Sequence, residues 1–215
     1  MSTTDEKRSF VPAFGFDWLT PAYEPLMRVL QPIRKQLVDQ ADIQPGMTVL
    51  DFGCGPGQLA LLIKDACPGA QVIGVDVDPR MQRIARRRFA AAGADIEFRL
   101  GTLEDLALAP GSFDRILTGF VLHHLTTEQK LSALRGMHGL LRSEGRLHIL
   151  DLGQPRGMLA KLGSYGHRLS HGRGVLDANL DGRVPALIRD AGFADVEEIP
   201  CEPARLGMAF WQARR

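Results

Sequence analysis

A chain of 215 residues holds one full-sized α/β domain and leaves little room for a second. With 45% hydrophobic and 24% charged residues it has a globular composition, and a formal net charge of +1 supplies no overall attraction to nucleic acid or an anionic membrane. No apolar run approaches the ~20 residues that span a bilayer, residues 1–10 carry Asp5, Glu6, Lys7 and Arg8 where a signal peptide would be apolar, and Cys54, Cys67 and Cys201 lack metal-ligand spacing, so a reduced, cytoplasmic setting without a bound metal is expected.

Residues 1 to about 15 read as disordered, with Phe10, Phe14, Phe16 and Trp18 forming an aromatic lead-in. The apolar stripe Leu26, Val29, Leu30, Ile33 and Leu37 predicts a helix, with Pro25 near its start and Pro32 kinking or dividing it. Residues 1–40 are therefore expected as an N-terminal segment and helix, packed on a sheet or laid over the site as a lid. Residues 41–215 are expected as the domain proper. The turn Gln44-Pro45-Gly46 feeds a first strand over 48–51, and a glycine-rich loop then leads into a helix over 58–66. A fully apolar second strand over 72–76 ends in an acid, and Asp78-Pro79 opens a helix that runs to about 92, with Gly93 as its stop. Its arginines, Arg80, Arg83, Arg86, Arg87 and Arg88, read as a solvated face rather than a nucleic-acid stripe.

Strands are expected over 96–100 and 113–118, then a helix over about 128–141 capped by Thr126 or Thr127. The turn Ser143-Glu144-Gly145 leads to a fifth strand over 146–151. This alternation is the mark of βαβ units and a parallel sheet. Residues from about 153 to 180 have weak periodicity and read as a variable insert. A helix over 184–191 and strands over 194–199 and 206–212 close the chain, the last two as an antiparallel edge hairpin.

The chemistry gathers at the first loop, Asp51-Phe52-Gly53-Cys54-Gly55-Pro56-Gly57. A strand that turns sharply into a helix needs residues tolerant of positive φ and open to close ligand approach, and the crevice beyond the strand ends is where open α/β sheets bind ligands. The Gly-x-Gly-x-Gly spacing departs from the dinucleotide fingerprint, yet Asp76 stands about 20 residues on, where an acid can accept both hydroxyls of a ribose.

At these residues the chain resembles the class I S-adenosylmethionine-dependent methyltransferases, and most of all their ubiquinone/menaquinone-biosynthesis group. The resemblance rests on the segment from Val49 to Gly57, on Gly74-Val75-Asp76-Val77-Asp78-Pro79, on Ser112-Phe113-Asp114 running to His123-His124-Leu125, and on Leu140-Leu141-Arg142-Ser143-Glu144-Gly145. These landmarks lie within residues 45–152, about half of the chain. The resemblance implies a Rossmann-like, doubly wound, mostly parallel seven-stranded sheet with helices on both faces. It also implies S-adenosyl-L-methionine as cofactor, S-adenosyl-L-homocysteine as product, and in-line methyl transfer to a small, partly apolar acceptor. Asp51 would take the methionine ammonium and Asp76 the ribose. Gly53, Cys54, Gly55 and Gly57 would form the loop under the adenosyl group, with Val77 on the adenine face. Thr102 stands where the family usually has an acid for the adenine amino group; its hydroxyl or the amide of Leu103 would serve. Thr118 would offer its carbonyl to the ammonium.

A base helps when the acceptor must lose a proton, and His123 and His124 follow the fourth strand closely enough to serve; the bland alternative is a capping and a packing histidine. His148 reads as structural, while His167 and His171 are weaker candidates for an acceptor pocket. Cys54 has no base nearby in sequence and reads as a small packing residue. Trp18 and Tyr23 are candidates for closing over the cofactor. A monomer or homodimer is expected. An NAD-dependent oxidoreductase would explain the glycines and Asp76 but not the loop spacing or Asp51. A non-catalytic S-adenosylmethionine-binding protein is the remaining alternative.

Overall fold

Strand β1 (Thr48–Phe52) stands in the interior of the sheet, between β2 and β4, and its apolar residues bury both faces: Val49 belongs to one core and Leu50 to the other. A period-2 backbone sends neighbours to opposite sides, so a strand apolar at consecutive positions demands cover on both. The computed structural model describes residues 30–155, 175–199 and 207–215.

Helix α1 (Gln31–Gln40) precedes β1, and α2 (Gln58–Ala66), β2 (Gln71–Asp76), α3 (Pro79–Ala91) and β3 (Ile96–Leu100) follow it. The chain then crosses to β4 (Phe113–Gly119), a 3₁₀ turn (Leu122–His124), α4 (Thr127–Leu140) and β5 (Leu141–Leu152). After the insert come α5 (Asp177–Leu180), α6 (Val184–Asp190), β6 (Ala194–Ile199) and β7 (Met208–Arg214). The seven strands order as β3-β2-β1-β4-β5-β7-β6, the Rossmann-like arrangement expected. β7 lies antiparallel between β5 and β6. It alone is reversed, so the last two strands form a hairpin with β6 outermost.

On one face α1, α2 and α3 cover the sheet: Ile33, Leu37, Leu59, Ile63 and Phe89 pack with Val49, Val72, Leu117, Leu150 and Phe210. On the other face α4 and α6 do so, through Leu134, Met137, Leu187 and Ile188 against Leu50, Ile116, Leu147, Ile149 and Trp211. The described part of the N-terminal helix is thus core packing. Trp18, Tyr23, Pro25 and Leu26 lie outside the described residues, as do His167, His171 and Cys201. Among the described residues no helix is long and apolar enough to cross a membrane.

Two boundaries differ from expectation. β5 begins at Leu141 because Leu141 pairs with Phe113 ahead of a register shift, so the segment read as a turn is an irregular start of the strand. β7 runs to Arg214, since pairing with β5 continues to Arg146↔Arg214. Helix caps follow the sequence. Asp78 accepts from the Arg80 amide at 2.8 Å, and Thr126 with Gln129 forms a reciprocal capping box that starts α4.

Candidate functional site

The strand order reverses between β1 and β4, so a crevice opens beyond their C-terminal tips. Asp51, near the end of β1, is only 1% exposed, and neither of its carboxylate oxygens makes a hydrogen bond among the described residues. Burial pushes its pKa up to about 7. The negative charge of Asp76 adds to the rise, while the Ala60 amide and the Arg34 guanidinium oppose it. A buried carboxylate that feels the Ala60 amide but closes no hydrogen bond with it is costly in isolation, and a cation arriving in the crevice would relieve it.

The loop after Asp51 is held open by its partners. Gly53 and Cys54 donate their amides to the Val75 carbonyl at 2.8 and 3.0 Å. Gly57, at φ +81°, starts α2 in the left-handed region, and a Cβ there would stand 2.4 Å from the Phe89 ring. Gly53 meets Val121 in the same way, at 2.4 Å, whereas a Cβ on Gly55 would meet nothing within 4 Å. The three glycines therefore differ in purpose. Gly53 and Gly57 admit protein side chains against the loop, and Gly55 alone faces open space where a ligand can approach.

Asp76, at the tip of β2, receives the amides of Gly55 at 2.8 Å and Asp78 at 2.9 Å, one on each oxygen. It is thus fixed as a brace across the loop, with further lone pairs on both oxygens for outside donors. Burial raises its pKa against the pull of these two amides. Asp76→Ala removes the brace and the acceptor together, and is expected to weaken binding of an adenosyl ligand by about 2 kcal/mol or more. Calorimetric titration checks this, and unchanged affinity would remove Asp76 from the site.

Beside Asp76, Val77 is 37% exposed and Leu100, its neighbour at the tip of β3, 39%; they are the large apolar side chains left most open among the described residues. Leu100 was not visible as a site residue in sequence, where it simply ends an apolar strand. Thr102 is largely engaged elsewhere: its hydroxyl donates to Asp105 at 2.9 Å and accepts from the Asp105 amide at 3.2 Å. The side chain of Leu103 packs toward α4 at Gly136, so a ligand contact there would be through the backbone. The thiol of Cys54 packs against Gly74 of β2, and burial pushes its pKa well up, an inert position for a thiol. Thr118 lies on the face of Ile116, opposite Leu117 and Asp51, with its buried hydroxyl unpartnered among the described residues. Only its backbone is placed to join Asp51.

The histidines part company. His123 Nδ1 lies 2.8 Å from the fully buried Asp151 at the end of β5, and the His123 amide reaches the second oxygen at 3.4 Å. Asp151 also accepts from the Leu152 amide at 2.7 Å and from Asn179 Nδ2 at 3.3 Å. Burial opposes its ionisation, but His123, the Leu152 amide and His124 together hold the carboxyl below its ordinary pKa. A carboxylate on Nδ1 fixes Nδ1–H and leaves Nε2 with its lone pair, the arrangement of a general base. The His123 side chain keeps 13% of its surface exposed. His124 lies beside it, with ring centroids 3.9 Å apart and the planes tilted by 44°. His148 is buried in β5, and burial followed by the charges of Arg115 and Arg146 drives its pKa down to about 3, so it is neutral and structural.

Lys130 supports this corner from beneath. It is fully buried in α4, and its ammonium donates to the carbonyls of Leu125, just past the histidines, and Val175, at the return of the insert. Burial brings its pKa down to about 8 against the pull of Asp151. Lys130→Met keeps the apolar stem but strands two buried carbonyls, and is expected to cost about 2 kcal/mol of unfolding free energy. The readout is a lower urea midpoint at unchanged slope.

Comparison with known proteins converges on one family. The family described as "Methyltransferase domain" matches residues 49–145. The demethylmenaquinone methyltransferase of Thermus thermophilus is 32% identical over 145 residues, covering 65% of this chain and 65% of its own length. The ubiquinone biosynthesis O-methyltransferase of Xanthomonas campestris is 33% identical over 127 residues, covering 59% of this chain and 52% of its own. The chain therefore spans between about half and just under two thirds of these curated relatives. Among solved structures, phosphoethanolamine N-methyltransferase 2 of Haemonchus contortus in complex with S-adenosyl-L-methionine superposes with a TM-score of 0.71. It is 18% identical, over 86% of this chain and 52% of that one.

Proposed function

We propose that this chain, which belongs to the class I S-adenosylmethionine-dependent methyltransferases, moves a methyl group to a small, partly apolar acceptor whose nucleophilic atom must first lose a proton. The residues at the crevice fit the cofactor. The buried carboxylate of Asp51, with no closed hydrogen bond among the described residues, suits the methionine ammonium, Asp76 the ribose, Gly55 a close backbone approach, and Val77 with Leu100 an apolar base.

Bound there, S-adenosyl-L-methionine supplies a methyl carbon activated by its sulfonium. The protein's part is alignment, exclusion of water and proton removal. The His123–Asp151 pair carries this reading. Nε2 of His123 accepts the proton of a phenolic hydroxyl or acidic carbon while Asp151 stabilises the imidazolium that forms. Asn179 and the Leu152 amide keep Asp151 ionised and oriented. An amine acceptor, nucleophilic once neutral, would ask less of such a pair. The curated relatives named for demethylmenaquinone and for ubiquinone-biosynthesis O-methylation fit an oxygen or ring-carbon nucleophile.

The test is transfer of labelled methyl from S-adenosyl-L-methionine to a panel of quinone precursors, phenols, enolisable ketones and amines. Turnover confined to phenols or acidic carbons supports the reading. Turnover on amines alone would overturn the role given to His123.

A further inference from the structure

We propose that the outer edge of β3 is a pairing surface for a second copy of this chain. Two β3 strands run antiparallel about a two-fold axis through Phe98 and join the two sheets into one. The inference is independent of the reading of the crevice.

The backbone sets which groups face outward. Gly101 donates its amide to the Asp76 carbonyl at 2.9 Å, and the register with β2 runs unbroken from Val72↔Ile96 to Asp76↔Leu100. In a parallel ladder the amide and carbonyl of one residue share a side, and the side alternates along the strand. Glu97 and Arg99 therefore turn theirs to β2, while Ile96, Phe98 and Leu100 turn theirs outward. Among the described residues β3 has β2 as its sole neighbour in the sheet. Open edges are commonly guarded, and the opposite edge of this sheet is. β6 breaks register between Ala194 and Glu197 and holds Asp195 at φ +48°. It also exposes Asp195, Glu197 and Glu198, so a second β6 would set acid against acid. β3 has no bulge, proline or glycine, and its one acid and one base cancel.

Those two charges select the register. Outward-facing residues can pair only with outward-facing residues, so the axis can pass through Glu97, Phe98 or Arg99. An axis through Glu97 sets Glu97 opposite its own copy, and an axis through Arg99 sets arginine opposite arginine; both oppose like charges. An axis through Phe98 pairs Ile96 with Leu100 of the second copy and sets Glu97 directly opposite Arg99. Within each strand Arg99 Nε already meets Glu97 Oε1 at 2.8 Å. The two pairs then close into a ring of four charges in which every neighbour is opposite in sign. On the α3 side, where Phe98 packs with Phe89, the half-buried Ile96 of one copy covers Leu100 of the other, which is 39% exposed in the single chain.

Sedimentation velocity of the intact chain from about 1 to about 100 μM is expected to show a monomer passing to a dimer. Glu97→Arg alone and Arg99→Glu alone place like charges opposite each other, and each is expected to weaken the dimer by about tenfold or more. The double variant Glu97→Arg/Arg99→Glu restores opposite charges at both positions and is expected to return to within about threefold of wild type. An equimolar mixture of the two single variants is expected to form a heterodimer at a concentration where neither associates alone. Both side chains reach solvent, so these changes leave the core intact. A wild-type chain that stays monomeric throughout overturns the proposal and leaves the β3 edge to a different occupant or to water. A dimer that both single variants leave unchanged, or single variants that do not associate on mixing, puts the interface elsewhere and overturns it as well.

Discussion

His123→Ala is expected to lower kcat by about 10²- to 10⁴-fold with whichever acceptor the methyl-transfer panel identifies, the range found for loss of a positioned general base. Affinity for S-adenosylhomocysteine should stay within a factor of about two, because His123 sits past the β4 tip and outside the glycine loop. Asp151→Asn should lose less activity. An amide still pairs with imidazole but favours the wrong tautomer and cannot stabilise the charged ring. The same two variants should leave rates alike if the acceptor is supplied already ionised, for example as a phenol of low pKa. Full activity of His123→Ala with a neutral phenol would reduce the histidine to a packing residue.

Asp51 should make cofactor binding depend on pH. In the empty site its carboxyl holds a proton up to about pH 7, whereas an ammonium partner requires the ionised form. Affinity for S-adenosylhomocysteine is therefore expected to fall about tenfold for each pH unit below 7, with one proton released on binding. Stability of the cofactor-free protein should run the other way. The folded pKa lies above the ordinary carboxyl value of 3.8, so the folded state holds a proton that the unfolded state has given up. The protein then loses stability as pH rises from about 4 to about 7. Asp51→Asn removes both dependences. It should weaken S-adenosylhomocysteine by on the order of 10²-fold at pH 8 and stabilise the cofactor-free chain by on the order of 3 kcal/mol there. Calorimetry at several pH values and urea unfolding at pH 5 and 8 separate these effects. Pairing of one lost function with one gained stability would mark a site residue held at a cost to the fold.

Most of the architecture could be read from sequence because its signals are local. The apolar run of β2 announced a strand covered on both sides, Asp78-Pro79 announced one helix start, and Thr126 was one of two candidate caps for another. Asp51, Asp76 and the glycines followed from a loop whose spacing has a steric reason. Illegible features were those made by tertiary pairing. The irregular start of β5 depends on Leu141 meeting Phe113. The Asp151 partner of His123 lies 28 residues away, although its place at a strand tip was a usable hint. Lys130 and Arg34 look like solvated charges in helical sequence, and only the packed structure shows that each is buried with its head group directed at a particular target. The different duties of Gly53, Gly55 and Gly57 were likewise hidden, because Val121 and Phe89 come from other elements.

The reading of the crevice itself is tested most directly by titrating the intact chain at pH 8 with S-adenosylhomocysteine and, separately, with NADH. Micromolar or tighter binding of S-adenosylhomocysteine with no heat from NADH is the predicted result. Tighter binding of NADH, or no binding of S-adenosylhomocysteine, would contradict it.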